Sequence, residues 1–313
     1  MNILTAKGIE PMLIAENRAP FDSPDYLYEL KLDGSRCLAY LTKNSVDLRN
    51  RRNKSLTAQF PELGDIYKQV QEQCILDGEL IVSKNGKPDF YALQRRCLLS
   101  DSIKIKLAVQ NSPASLVVFD ILYLKEKELM PLPLMERKKL LAKTVQDTPS
   151  LAISRYVETK GIALYQAVSK QKLEGIVAKQ KQSKYYPGKR TREWIKIKDV
   201  LDEDFVVCGY YQKTEGFISV ILGKYQNNRL LYQGHVVIGL RHQDYQKMAE
   251  TKQMDSAFYQ HFPSFVGVTW LKPTLVCRVQ YIERTPGGGL RQPVFRGLRH
   301  DKNPRECMLE EIT

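Results

Sequence analysis

Several kinds of segment and site are missing from the sequence, and each absence argues against a class of protein. Its 313 residues contain no apolar run of about 18 residues, the length that a membrane helix requires. The N-terminal segment lacks an apolar core followed by a small-residue cleavage site, so we expect no secretory signal. No C-x-x-C pair occurs, which argues against a zinc ribbon or a thioredoxin-type site.

The cysteines are few and isolated. Six occur, and several of them lie inside apolar runs, where a reduced thiol packs as a small apolar group. A glycine-rich phosphate loop is also missing. These features predict a soluble protein of the reducing cytoplasm, with core thiols and no membrane association.

Basic residues are in excess. The chain has 48 Lys+Arg against 35 Asp+Glu, a net charge of +13 and a pI near 9.3. Such an excess attracts polyanions and supplies phosphate contacts. Charge alone does not separate nucleic acid from an anionic membrane or a ribosomal surface, so it predicts only a polyanionic partner.

Short β-rich runs alternate with helical segments between residues 26 and 198. The strand-like runs are 26–32, 35–41, 45–50, 74–82, 115–124 and 175–180. Residues 134–145 and 161–172 carry apolar residues at three- and four-residue spacing, as amphipathic helices do. Strands mixed with helices in this way predict an α+β domain with antiparallel sheets, spanning residues 1–199.

The pattern changes near Asp199. The segment DVLDED carries four acids, as an exposed interdomain hinge would. Four strand-like runs follow, at 204–211, 219–226, 229–239 and 274–283, with one helical insert around residues 243–259. This mostly-β content predicts a small OB-type barrel over residues 200–313.

The strongest local signal is the sequence YELKLDGSR around Lys31. A lysine beside an acid-glycine turn becomes a nucleophile when neighbouring cations or burial lower its pKa from about 10.4. Its free amine could then attack an α-phosphorus and form a phosphoramide. A surface strand that ends in a turn explains the same residues, and on this tetrapeptide alone that simpler interpretation is favoured.

An ordered set of further motifs favours the chemical interpretation. The motifs are Asp77-Gly78-Glu79, Phe119-Asp120, Glu174 to Lys179, and Trp194 to Lys198. Together they provide two carboxylates for a metal, an aromatic ring for a base and several cations for a triphosphate. Acids in apolar strands are costly unless they are paired or metal-bound. Each motif has a simple structural explanation, but the whole series in this order is hard to explain that way.

This series resembles the covalent nucleotidyltransferase superfamily, which comprises ATP-dependent DNA ligases, RNA ligases and mRNA-capping guanylyltransferases. Its motifs K-x-D-G-x-R, D-G-E, aromatic-Asp, E-G-x-x-x-K and W-x-K-x-K all occur here. Further stretches are similar to the ligase module of bacterial end-joining ligase D proteins. They are residues 48–57 with Phe60-Pro61-Glu62-Leu63, residues 183–190, and residues 293–302.

The resemblance implies a role for each matching residue. Lys31 is the nucleophile that becomes AMP-lysine. Glu29 contacts the adenine amino group, and Phe119 stacks on the base. Arg36 and Arg51 hold phosphate, and Arg51 is expected to switch to the 5′-phosphate of DNA.

Metal binding and charge neutralisation are implied in the same way. Glu79 binds ribose or metal, and Glu174 binds the metal. The cations that neutralise the triphosphate and then the adenylate are Lys179, Lys196 and Lys198. The motif that closes over pyrophosphate from the second domain is Arg299, Asp301 and Lys302.

The turn around Arg51 departs from the family pattern. Asn50 replaces the usual serine, and Asn53 replaces the usual glycine. Because asparagine tolerates a left-handed backbone, we expect the turn to survive.

The resemblance implies an ATP-dependent DNA ligase that seals nicks through a lysine-AMP intermediate, in DNA repair, recombination or end joining. Its cofactors would be ATP and Mg²⁺, with Mn²⁺ as an alternative metal. Its substrate would be nicked duplex DNA, bound through the backbone without sequence specificity. We expect a monomer located at the bacterial nucleoid.

Partners are implied as well. The segment before Lys31 is too short for a DNA-clamping domain, so we expect incomplete encirclement of the substrate and recruitment by another protein. A Ku-type end-binding protein or a polymerase module would fill that role.

Two other functions fit the sequence. The first is the same chemistry on another acceptor, as in an RNA ligase or a GTP-using capping enzyme. The second is a non-catalytic nucleic-acid-binding protein with a degenerate first domain and an OB fold that binds by charge and stacking. The intact Lys31, Glu79, Glu174 and Lys196 argue against the second.

Overall fold

The computed structural model describes residues 3–84, 87–171, 173–198, 200–212, 216–255, 262–285 and 287–309. By its internal contacts the chain divides into two compact units, Met1–Lys198 and Asp199–Thr313. Within the described residues, no helix has both the length and the apolar character needed to cross a bilayer. The hinge predicted at Asp199 falls outside the described residues.

The first unit contains twelve described strands and five described helices. The strands are β1 (Leu13–Asn17), β2 (Ser23–Leu30), β3 (Ser35–Leu41), β4 (Val46–Asn50), β5 (Cys74–Lys84), β6 (Lys87–Pro88), β7 (Ala114–Leu124), β8 (Lys127–Glu128), β9 (Leu151–Ile153), β10 (Tyr156–Thr159), β11 (Gly175–Gln180) and β12 (Arg190–Lys198). The helices are α1 (Ile3–Ala6), α2 (Phe90–Cys97), α3 (Ser102–Asn111), α4 (Leu134–Thr144) and α5 (Gly161–Lys170). Short 3-10 turns occupy Thr57–Gln59, Pro61–Leu63 and Ile66–Gln69.

These strands form two sheets with mainly antiparallel pairing. The first sheet has the order β1-β12-β11-β2-β10. The second has the order β4-β3-β5-β7-β8, with β6 beside β5 and β9 beside β7. A shared core contains Leu38, Tyr40 and Phe119 from the second sheet together with Trp194 from the first. The two sheets therefore face each other, and the motif residues Phe119 and Trp194 lie at this junction.

Every strand and helix predicted in the first unit is present, with small differences at the ends. The largest functional difference is at β2, which ends at Leu30. Lys31 therefore lies in the loop that follows β2, and its backbone N–H still donates to the Gly175 carbonyl oxygen at 2.9 Å. The cysteines are free thiols, and five of the six are buried, as predicted.

Arg96 on α2 links three segments of the first unit. Its side chain is 2% exposed and donates to both carboxylate oxygens of Glu62, at 2.6 and 3.1 Å. It also donates to the carbonyl oxygens of Gln59 and Ser112, both at 2.8 Å. The family-like segment Phe60-Pro61-Glu62-Leu63 is therefore a structural anchor for this arginine.

Replacing Arg96 with methionine is expected to lower the free energy of unfolding by about 3 kcal/mol. The change leaves the Glu62 carboxylate and two carbonyl groups without their charged donor, and removing one partner of a buried ion pair is strongly destabilising. Chemical denaturation checks this against Arg95→Met, a change at an exposed neighbour on the same helix. Equal stability of the two variants would contradict the anchoring role.

The second unit is a six-stranded β structure with one described helix. Its strands are β13 (Leu201–Gln212), β14 (Ile218–Gln226), β15 (Arg229–Val236), β16 (Val268–Trp270), β17 (Val276–Tyr281) and β18 (Val294–Arg299), and its helix is α6 (His242–Ala249). The strand order is β15-β14-β13-β17-β18, with β16 beside β13. Pro304–Glu306 form a 3-10 turn. The sequence did not indicate β16 or β18. Part of the predicted helical insert, residues 256–259, lies outside the described residues.

From Leu201 onward the acidic segment DVLDED is a strand and not a hinge, so this part of the sequence prediction was wrong, although Leu201 and Asp202 are exposed as predicted. Leu201 begins β13, which pairs along its first residues with β17. Alternating side chains place Glu203 and Asp204 on opposite faces, and each is surrounded by cations. The acids therefore serve as ion-pair partners at the start of the barrel.

Candidate active site

The strands of the two sheets bring the motifs of the first unit to one cavity. Arg36 on β3 lies directly opposite Glu79 on β5. On the facing sheet, Lys179 on β11 pairs with Trp194 on β12. The lining residues of the cavity are Ile14, Leu30, Lys31, Leu32, Arg36, Glu79, Phe119, Val177, Lys179 and Trp194.

Lys31 and Glu174 form the central pair of the site. Lys31 Nζ lies 2.9 Å from Glu174 Oε2, and Lys198 Nζ lies 3.1 Å from Glu174 Oε1. The Glu174 side chain is 5% exposed, whereas that of Lys31 is 22% exposed. One buried carboxylate therefore orients the proposed nucleophile and a second lysine together.

Lys196 and Lys198 lie on the same side of β12, as their alternation predicts. The intervening Ile197 is buried in the core on the opposite side, with Ile195. Burial lowers the pKa of both lysines, and for Lys196 the nearby positive charge of Lys31 lowers it further. For Lys198 the Glu174 carboxylate partly offsets the effect of burial.

Close backbone packing explains two glycines of the motifs. A Cβ on Gly34 would lie 2.7 Å from Glu79 Cγ, and the Leu80 carbonyl would be closer still. Gly175 has φ +137°, and a Cβ there would lie 2.8 Å from the Lys198 Cα. Any side chain at these positions would push apart the strands that carry the site.

Glu29 lies at the buried end of β2 and is 2% exposed. One of its carboxylate oxygens forms an ion pair with Lys138. The other accepts from Lys179 Nζ at 2.9 Å and from Ser154 Oγ at 3.2 Å. Burial alone would raise the pKa of Glu29, but the two lysines outweigh it and hold the pKa below its usual value. Glu29 is therefore an ionised acceptor.

Phe119 and Arg36 are in contact within the cavity. The Arg36 guanidinium carbon lies 4.5 Å from the centre of the Phe119 ring, and Lys179 Nζ lies 4.1 Å from it. Arg36 also donates from Nε and Nη2 to the two oxygens of Asp77, both at 2.6 Å. This buried carboxylate holds Arg36 in place and raises its pKa against the effect of burial.

Arg51 lies apart from these residues, at an exposed turn after β4. The turn has the backbone expected of it, because Asn53 adopts φ +58°. The Asn50 side-chain oxygen accepts from the backbone N–H groups of Arg52 at 2.9 Å and Lys54 at 3.0 Å. Asparagine therefore replaces serine and glycine without loss of the turn, whereas a phosphate contact by Arg51 stays a prediction.

The two carboxylates predicted to bind metal belong to the same charged cluster. Burial raises the pKa of Glu79 to about 7; the positive charges of Arg36 and Lys31 oppose this rise, and the negative charges of Asp77 and Glu174 favour it. A divalent cation would stabilise these acids, and Mg²⁺ commonly binds through one or two carboxylates together with phosphate oxygens. The residues therefore fit the metal, although no group of three or more His, Cys, Asp or Glu ligands occurs among the described residues.

The closing motif of the second unit is organised by Asp204. Lys302 Nζ lies 2.9 Å from Asp204 Oδ2, and Arg299 Nη1 lies 3.5 Å from the same atom. Arg278 donates to both Asp204 oxygens, at 2.8 and 2.9 Å. Arg299 also forms a two-point pair with Asp301, at 2.6 and 2.7 Å. The motif residues are therefore held together within their own unit.

Asp204→Asn is expected to lower the free energy of unfolding by about 1 to 2 kcal/mol at neutral pH. Burial opposes ionisation of Asp204, but hydrogen bonds from Arg278 and Lys302 outweigh it and lower the pKa from 3.8 to about 2. The carboxylate therefore stabilises the fold fully above pH 3.8, and this contribution is lost as the pH falls through 2. Denaturation between pH 2 and pH 7 measures it, with the exposed Asp202→Asn as control. Identical pH dependence in the two variants would contradict the assignment.

Sequence reasoning did not identify three supporting groups. Tyr185 donates to Asp77 at 2.7 Å, and Arg137 forms a fully buried two-point pair with Asp120. Lys138 pairs with Glu29. Arg137 and Lys138 could have been recognised as adjacent basic residues in the apolar face of a helix, because a charge there requires a buried partner.

Family models cover most of the chain. Residues 11–198 match the ATP dependent DNA ligase domain, and residues 213–302 match the ATP dependent DNA ligase C terminal region. The chain is 30% identical to the multifunctional non-homologous end joining DNA repair protein LigD of Mycobacterium tuberculosis, over 97% of this chain and 40% of that protein. It therefore spans about 40% of the length of the first curated relatives that it matches.

A relative of similar length and a solved structure agree with this. The chain is 28% identical to the SPbeta prophage-derived DNA ligase-like protein LigB of Bacillus subtilis, over 93% of this chain and 99% of that protein. It is also similar to a mycobacterial DNA ligase D structure complexed with ATP and MES, with a TM-score of 0.58 and 29% identity, covering 97% and 99% of the two chains. The predicted α+β ligase domain and OB barrel are thereby confirmed. On this sequence and structural similarity, the chain belongs to the ATP-dependent DNA ligase family.

Proposed function

We propose that this chain seals nicks in duplex DNA through a covalent AMP on Lys31, in DNA repair or end joining. The observation that carries the proposal is the position of Lys31 beside a cavity, with its Nζ 2.9 Å from the buried Glu174 carboxylate. The carboxylate fixes the direction of the Lys31 side chain, and holding a nucleophile in position beside a bound substrate lowers the barrier of a bimolecular reaction.

The reaction proceeds in three steps. Lys31 Nζ, after losing its proton, forms a bond to the α-phosphorus of ATP while the bond to the pyrophosphate oxygen breaks. The 5′-phosphate of the nick then displaces Lys31 from AMP, which forms a pyrophosphate linkage between AMP and DNA. The 3′-hydroxyl attacks the 5′-phosphate, and AMP leaves with the electron pair of the broken P–O bond.

The other residues of the cavity bind and orient the nucleotide. Glu29 accepts from the adenine amino group, and Phe119 stacks on the base. The groups that neutralise phosphate are Arg36, Lys179, Lys196 and Lys198, with Arg51 reaching the 5′-phosphate. Glu79 and Glu174 would hold Mg²⁺, or Mn²⁺ as an alternative, which would supply stabilisation of the negative charge on the phosphates.

The two units have different roles in the proposed reaction. Residues 1–199 form the nucleotidyltransferase domain, and residues 200–313 form the OB domain, which closes over pyrophosphate through Arg299, Asp301 and Lys302. The net charge of +13 supports binding to the DNA backbone. Similarity to end-joining proteins supports a Ku-type end-binding protein or a polymerase module as a partner.

Substrate comparison tests the proposal. The chain, first treated with pyrophosphate to remove any bound AMP, is incubated with α-labelled ATP or GTP and then with nicked DNA, nicked RNA or blunt DNA ends. We expect label from ATP and sealing of nicked DNA. Sealing of nicked RNA alone would indicate an RNA ligase, and labelling by GTP alone would indicate a GTP-using capping enzyme. No label at all would overturn the enzymatic function.

A further inference from the structure

Helix α4 connects the two sheets through two consecutive residues. Arg137 pairs with Asp120 on β7 of the second sheet, at 2.8 and 2.9 Å. The next residue, Lys138, pairs with Glu29 on β2 of the first sheet. Successive helical residues point about 100° apart, so one helix reaches both sheets at once. Lys138 belongs to none of the motifs that carry the proposed chemistry.

Glu29 has more cationic partners than its charge requires. Its carboxylate contacts both Lys138 and Lys179, and the side chains of all three residues are 2% or 3% exposed. One lysine would neutralise the carboxylate, so the buried cluster carries an extra positive charge. Burying an additional charge is costly, and a protein retains such a charge where it has a use.

The proposed function gives Lys179 a second partner. Lys179 Nζ already lies 4.1 Å from the centre of the Phe119 ring and lines the cavity. When this lysine contacts a phosphate of ATP, it weakens or leaves its bond to Glu29. Without another cation, Glu29 would then be a buried carboxylate lacking a counter-ion, which is strongly unfavourable.

We propose that Lys138 is a positioning residue that remains as the counter-ion of Glu29 and so frees Lys179 to neutralise ATP phosphate. Lys138 also keeps Glu29 ionised and oriented as an acceptor for the base. This inference rests on the proposed function, because it requires ATP in the cavity. Lys138 itself makes no contact with the substrate in this role.

The charges around Lys179 agree with this role. Burial lowers the pKa of Lys179 to about 8; Glu29 and Asp120 raise it, and Lys138 lowers it further. Arg36 is a further nearby cation, over the same Phe119 ring. Removing Lys138 therefore raises the pKa of Lys179 and binds it more tightly to Glu29.

The first test compares adenylation of Lys138→Met, Lys138→Arg and Lys139→Met with that of the unaltered chain. We expect Lys138→Met to raise the ATP KM about tenfold, a coupling of the size seen for groups in one buried network. Arginine should restore most of the affinity, since it keeps the positive charge. Lys139 is the exposed neighbour on α4, and its change should leave the KM unaltered.

The pH dependence provides a readout that a purely structural role would not change. Adenylation that needs a protonated Lys179 decreases as the pH rises through the pKa of that lysine. In Lys138→Met this alkaline decrease should move to higher pH, and in Lys138→Arg it should stay near its original position. If Lys138→Met changes neither the pH at which adenylation decreases on the alkaline side nor the ATP KM, the proposal would be overturned.

A double variant separates the proposal from simple loss of folding. Glu29→Gln removes the carboxylate that needs a counter-ion, so Lys138→Met should add less than a threefold effect on the KM in that background. If Lys138→Met raises the ATP KM by the same factor in the Glu29→Gln background as in the unaltered chain, and the double variant is folded, the role of Lys138 would be overturned. Labelling of the unaltered chain by ATP tests the proposed function separately.

Discussion

In a chain carrying Lys31→Ala, no label from α-labelled ATP is expected to remain on the denatured protein. Alanine has no nitrogen to bond the α-phosphorus, and the other lysines beside Glu174 are on β12 rather than in the Lys31 loop. Lys31→Arg should also be inactive, because its guanidinium stays protonated near pH 7 and is a poor nucleophile. Activity should therefore depend on a free amine at this position and not on positive charge alone.

The measurement is a denaturing gel after incubation with ATP and magnesium. Lys43→Ala, at an exposed turn between β3 and β4, is a matched control and should label normally. Urea denaturation checks that Lys31→Ala remains folded. Label retained by a folded Lys31→Ala chain would mean that another residue is the nucleophile.

Sealing of a chemically adenylated nick separates the steps of the reaction. The AMP is already on the DNA in this substrate, so Lys31→Ala should still seal it without ATP, although labelling is lost. If a folded Lys31→Ala chain seals neither the ordinary nick with ATP nor the adenylated nick, Lys31 acts beyond the first step.

In the first unit, the strands that carry the site motifs could be predicted from the sequence because local pattern indicates them, whereas β16 and β18 of the second unit were not indicated. Alternation along residues 194–198 placed Lys196 and Lys198 on one side of a strand, and the structure agrees. Helices α2 and α3 were missed, although Asp89 and Asp101 cap their first turns. Their apolar faces are short, so the periodicity that marks a longer helix is weak.

Ion-pair partners could not be predicted, since they come from distant parts of the chain. Glu29 and Lys138 are 109 positions apart in the sequence and meet only when α4 packs beside the sheets. The acids near residue 203 resemble a solvated hinge by composition, but Asp204 is buried among Arg278, Arg299 and Lys302. Burial and pairing depend on tertiary structure, which composition does not encode.

Glu174→Gln is expected to slow adenylation by about a hundredfold to a thousandfold, because a metal ligand and an electrostatic partner are lost together. Glutamine has nearly the same shape but no charge. Lys31 and Lys198 would lose the carboxylate that now lies 2.9 and 3.1 Å from their nitrogens. The positive charges of Lys31, Lys196 and Lys198 would then repel one another without compensation, and the direction of Lys31 would no longer be fixed.

A magnesium titration distinguishes the two contributions of Glu174. If this carboxylate binds the metal, the concentration of Mg²⁺ needed for half-maximal adenylation rises in Glu174→Gln and excess Mg²⁺ recovers part of the rate. If it serves only to orient Lys31, the rate falls and the Mg²⁺ requirement stays constant. Glu158→Gln, at a half-exposed residue paired with Lys181, is the matched control and should change neither quantity. An unaltered rate in Glu174→Gln would contradict both roles, since the most buried charge in contact with Lys31 would then be dispensable.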